Sequence, residues 1–152
     1  MPKALAASQR ALLRSALDRL IPAGGGFPGA GDLDDLLDHL DGAAASSPGM
    51  RRMFAEGLRQ IGIESERRHG RVFEDLDGAA QDAVLRHVEG EHPAFFEALV
   101  RHAYQGYYSH PTVVRLLGLE ARPPQPLGHA CPAFDAAITR SMSQRGALYR
   151  SA

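Results

Sequence analysis

Seven histidines, a single cysteine and a cluster of tyrosines are the side chains of this sequence that could do chemistry. A metal pair on one helix needs two imidazoles three or four residues apart, so that both share a face. His87 and His92 are five apart and His102 and His110 eight apart, and no HExxH motif occurs. His92 and His110 each precede a proline, which marks them as helix-entry residues whose partners are on the local backbone. The lone Cys131 rules out an intramolecular disulfide and any site built on two thiolates from this chain. It lies in a proline-rich stretch with His129 as its only basic neighbour, a weak basis for a nucleophile. No metal ligand and no catalytic residue is assigned.

Tyr104, Tyr107, Tyr108 and His110 are the distinctive group. Steps of three and four bring the three phenol rings together at the end of a helix. Such rings either bury their apolar bodies with hydroxyls reaching backbone or water, or line a ligand cleft or a partner interface. Both readings are open, and these four residues are the candidate partner- or ligand-binding site. The stretch GGGFPGAG resembles a phosphate cradle only superficially, lacking both the GK[ST] ending and a preceding strand. Ser-His-Asp order, a dinucleotide fingerprint and a carboxylate dyad are all missing.

The elements that must position these residues are helical. Leu12, Leu13, Ala16, Leu17 and Leu20 recur at helical steps after Ser8, a cap candidate, and stop at Pro22. Glycines and a proline make Ala23 to Gly31 a loop anchored by Phe27. Asp32 is expected to cap a second helix with Leu33, Leu36, Leu37 and Leu40 inward and Asp34, Asp35 and Asp38 in water. Gly42 to Ser46 read as a linker. Ser47-Pro48 opens a third helix expected to fade near Gly62 or in the charged run Glu64 to Arg68. A connector follows, pinned by Val72, Phe73 and Leu76, then a helix capped by Asp77 and ended by Gly90. Pro93 and Pro111 open two more. Period-2 runs are missing, so the expected fold class is all-α, a single compact bundle of five to six helices over residues 1–119. Residues 120–152 read as a proline-rich extended segment lying on the bundle or on a partner.

Composition narrows the function. The 152 residues are 44% hydrophobic and 23% charged, as in ordinary globular chains, with a net charge of -1. A dedicated nucleic-acid binder would be cationic, and no apolar run approaches the roughly 18 residues that span a bilayer. Neither nucleic acid nor direct membrane insertion is therefore expected.

Several segments in order resemble the small subunit, subunit 3 or gamma, of gluconate 2-dehydrogenase and related flavin-dependent dehydrogenases. ALDRLIPAGGGFPGAGDLDDLLDHL is similar to that family's opening, RRMFAEGLRQI to its third helix and GRVFEDLDGAAQDAVLRHV to its connector and following helix. FFEALVRHAYQGYYSHPTVVRLLGL resembles its marker, a helix leading into a G-Y-Y/F-S-x-P turn, and RPPQPLGH and RGALYR resemble one branch. TVVRLLG stands where many members carry a glycine-glycine-asparagine stretch. The resemblance implies a non-catalytic accessory subunit that folds, stabilises or escorts a larger partner of the glucose-methanol-choline oxidoreductase type. FAD would be on that partner, none in this chain, and a cytochrome c subunit would be a further partner as electron acceptor. The alternative is a stand-alone helical ligand-binding domain or enzyme using the Tyr/His cluster. The twin-arginine leader of many members does not appear in the sequence, so the expected address is cytoplasmic as written, or periplasmic if the chain is co-exported or its signal was removed.

Overall fold

In the computed structural model, which describes residues 5–119, helices α1 (Ala7–Leu20), α2 (Asp34–Ala45), α3 (Pro48–His69), α4 (Gly78–Glu91), α5 (Pro93–Ser109) and α6 (Pro111–Leu116) build an all-α bundle. Among the described residues the only β-pairing is an isolated bridge between Gly24 and Phe27. The expected proline-rich segment 120–152, with His129 and Cys131, lies outside the described residues.

Proline sets half of the helix starts. Pro48, Pro93 and Pro111 each occupy a first-turn position, where the missing amide costs nothing and the fixed φ suits the helix. Ser47 accepts from the Met50 amide and Asp77 from the Ala80 amide, as the sequence leads one to expect. His110 caps α6 by accepting the Thr112 amide at Nδ1, 3.2 Å away, whereas His92 makes no such bond.

Other boundaries differ from the sequence reading. α1 begins ahead of Ser8, because Gln9 Oε1 accepts the Ala6 amide and Ala6 takes the cap position. Leu33 rather than Asp32 precedes α2; Asp32 sits in a 3-10 turn, Ala30–Asp32, and its carboxylate accepts the Gly29 amide. The expected linker Gly42 to Ser46 is mostly helix, since buried Asp41 and Ala44 tie the last turn of α2 to the core. α3 runs past Gly62 and through the charged run to His69, where Gly70 at φ 62° ends it. Arg67 and Arg68 pair with Glu64 and, with His69, place positive charge in the last turn, where the helix dipole favours it. α4 ends at Glu91, not Gly90.

The core takes one face from each helix. Leu13, Ala16 and Leu17 of α1 meet Leu36, Leu37 and Leu40 of α2, Phe54, Leu58 and Ile61 of α3, Val84 and Val88 of α4, and Leu99 and Ala103 of α5. Full burial of each Leu or Phe contributes about 1.5 to 3 kcal/mol. Phe73 and Leu76 pin the connector as expected, helped by Gln81 Nε2 donating to the buried Phe73 carbonyl at 2.9 Å, but Val72 is turned to solvent. Two glycines permit close helix contact. A Cβ at Gly57 of α3 would lie 2.1 Å from the Phe95 ring of α5, and one at Gly106 of α5 would lie 2.4 Å from Leu36 of α2.

Candidate partner-binding site

α5 carries the tyrosine group, and helical geometry splits it. Tyr104 and Tyr108, one turn apart, share the outer face; their rings stack at 5.9 Å with planes 8° apart. Tyr107, about 100° round the helix from Tyr108, points inward and is 3% exposed, while Tyr104 and Tyr108 are 42% and 53% exposed. Its ring still meets Tyr108 edge-on at 5.3 Å.

Tyr107 therefore has a different task from its neighbours. Its hydroxyl donates to the Pro28 carbonyl at 2.7 Å, tying α5 to the glycine-rich loop. Burial pushes the phenol's pKa upward, so at neutral pH it remains a hydrogen-bond donor and not a base. His110 at the α5–α6 junction is only 14% exposed in its side chain, with Nε2 3.7 Å from Asp35 on α2. The structure thus brings Tyr104 and Tyr108 together on the surface and assigns Tyr107 and His110 to the joints beneath.

The loop that Tyr107 holds is a reverse turn whose amides on either side of the tip, from Gly24 and Phe27 to Gly31, are already used. Gly25 and Gly26, at φ 59° and 85°, form the two-residue tip, and Gly24 and Phe27 exchange both backbone bonds across it. The Gly29 amide donates to Asp32, the Ala30 amide to the Ile21 carbonyl and the Gly31 amide to Asp18 Oδ1. A phosphate would find these donors committed and the carboxylates of Asp18 and Asp32 in its way. The apparent cradle is a structural clasp joining α1, the loop and α5.

Two histidine contacts were invisible in the linear sequence. His39 of α2 and His102 of α5 approach to 6.1 Å between ring centroids, with Phe54 beside His102. His39 Nε2 and His102 Nδ1 are buried without a hydrogen-bond partner, and burial lowers the His102 pKa, with Arg101 and His39 adding to the effect. His87 of α4 lies 3.3 Å from Glu64 of α3, whose carboxylate also takes a bidentate bond from Arg67 and one from Arg68. Only contacts across helices create these pairs, and no sequence spacing announces them. Among the described residues no group of three or more His, Cys, Asp or Glu side chains could hold a metal ion. Glu66 with His69 and Glu89 with His92, each one turn apart, accordingly lack a third ligand.

Bundle and surface together define a small helical protein that carries a stacked aromatic pair on its exposed face. Residues 7–119 match the family model for gluconate 2-dehydrogenase subunit 3, and the chain belongs to that family. No curated protein and no solved structure matches it. The segments on which the resemblance was drawn acquire structural roles here. The L-I-P stop and glycine loop form the clasp, and in G-Y-Y the glycine admits α2, the first tyrosine ties the loop, and the second faces out.

Proposed function

We propose that this chain is the non-catalytic accessory subunit of a flavin-dependent dehydrogenase complex, attached to a larger chain of the glucose-methanol-choline oxidoreductase type that oxidises a sugar, sugar acid or alcohol. The observation that carries the reading is the family match, which spans every helix of the bundle. In this reading FAD belongs to the larger chain, a cytochrome c subunit accepts the electrons, and this chain folds, stabilises or escorts its partner. The exposed Tyr104–Tyr108 stack supports it, since tyrosine pairs offer large, rigid, amphipathic contact area of the kind interfaces favour.

Co-expression with a large flavoprotein of this type, encoded beside this chain if one is present, tests the proposal. The two chains are expected to co-purify, and flavin loading of the large chain is expected to fall when this one is withheld. Tyr104→Ala and Tyr108→Ala should leave the fold intact while weakening the complex by about 2 kcal/mol or more. Separate purification with flavin loading indifferent to this chain would overturn the reading, as would turnover of a sugar or alcohol by this chain alone.

A further inference from the structure

A groove of about 560 Å³, open to solvent along one side, runs between α1, α3 and the turn at Phe73. Its floor is apolar: Leu12 of α1, Leu58 and Ile63 of α3, and Val72 and Phe73 of the connector. Ile63 and Val72 are 43% and 49% exposed, an unfavourable place for two β-branched aliphatic side chains unless something covers them. Glu66 and Glu74 stand on the rim, and neither carboxylate is paired with any described residue. Among the described residues the one guanidinium in the lining, Arg59, is already bonded through two nitrogens to Glu56. The rim is therefore acidic around an apolar trough.

Gly62 adds an independent sign. It lies in the interior of the 22-residue α3, where alanine would form a better helix, and a Cβ there would meet only Leu12 at 3.8 Å, an ordinary contact. Gly57, five residues earlier, is required by the Phe95 ring; nothing within the bundle requires Gly62. What its missing side chain provides is depth in the groove it lines.

We infer that this groove receives an amphipathic helix of the larger dehydrogenase chain, with apolar side chains at three- and four-residue steps in the trough and Lys or Arg at its flanks facing Glu66 and Glu74. The inference rests on the accessory-subunit reading and names a second contact, sharing no lining residue with the tyrosine face. Apolar anchors in the trough would hold the helix, and the rim charges would steer and orient it.

The test uses the co-purified complex of full-length chains. Ile63→Asp combined with Val72→Asp, at positions exposed enough to leave the bundle folded, should weaken association about 30-fold or more with an unchanged circular dichroism melt. Glu66→Lys with Glu74→Lys should slow association and reverse its dependence on salt. Benzoylphenylalanine in place of Val72 should photo-crosslink to a basic amphipathic helix of the larger chain, a readout that holds even if the aspartate variants misfold. Crosslinks confined to this chain or to a second copy of it would overturn the inference, as would wild-type affinity in a folded aspartate variant; both leave the accessory-subunit reading standing. Failure of the wild-type chains to associate at all would instead remove that reading and this inference with it.

Discussion

Gly57→Ala and Gly62→Ala are the same chemical change on the same helix, and the structure requires them to act in opposite directions. A methyl group at position 57 would sit 2.1 to 2.4 Å from three atoms of the Phe95 ring. Relief to an ordinary contact of about 3.5 Å needs a ring displacement of more than ~1 Å. That ring is buried and meets Phe54 edge-on at 5.8 Å, so a displacement of that size disturbs the core packing around it. Overpacking of this kind costs about 1 to 3 kcal/mol. With three atoms of a buried ring at 2.1 to 2.4 Å, we take the upper end, offset by ~1 kcal/mol of improved helix propensity, for a net loss of about 2 kcal/mol. At position 62 the propensity gain acts unopposed and stabilises by about 0.5 to 1 kcal/mol. For a chain of this size each kcal/mol moves the melting temperature by about 2 to 4 °C. Thermal and urea unfolding followed by circular dichroism should therefore separate the two variants by roughly 3 kcal/mol, one on each side of wild type. Adding Phe95→Leu should recover part of the Gly57→Ala loss in a double-mutant cycle. A Gly57→Ala protein as stable as wild type, or two variants shifted in the same direction, would refute the packing argument.

Two further tests probe the clasp and the acid response. Tyr107→Phe removes the part-buried bond to Pro28, and the cost should be about 1 kcal/mol. Faster amide exchange at Ala30 and Gly31 should accompany it, and an unchanged denaturant midpoint with unchanged exchange would show that the clasp is idle. Glu64 is held down to about 2, first by its bonds from Arg67 and then by Arg68, against about 4.3 in an unfolded chain. A depressed carboxylate stabilises the fold above its unfolded pKa, so its contribution is complete above about pH 5 and is lost as pH falls toward 2. Glu64→Gln should flatten the urea midpoint between those limits. Glu56, also brought to about 2 by Arg59 and Gln60, is solvent-exposed, and its contribution should vanish in added salt. An acid slope unaltered by Glu64→Gln would reject the assignment.

The sequence by itself determined the helical class and most of the starts, because these are local matters. Proline at positions 48, 93 and 111 cannot sit inside a helix but suits its first turn, Ser47 and Asp77 reach their own first-turn amides, and the Leu36, Leu37 and Leu40 spacing commits one face of α2 to the core whatever it meets there. Tertiary contact decided where helices continued: α2 persists through Gly42 because Asp41 accepts the Leu5 amide from 36 residues away, and α3 persists through its charged run because Glu64 gathers Arg67, Arg68 and His87. It also divided the tyrosines, three rings adjacent in sequence but only two left facing solvent, since a helix turns each successive residue by about 100° and the glycine-rich loop occupies the side that Tyr107 reaches. Glycine is where the linear text says least. Gly57, Gly62 and Gly106 look alike in sequence, yet a phenylalanine ring fills the space at one, a leucine from α2 at another, and an open groove at the third, and only the neighbours brought in by packing tell them apart.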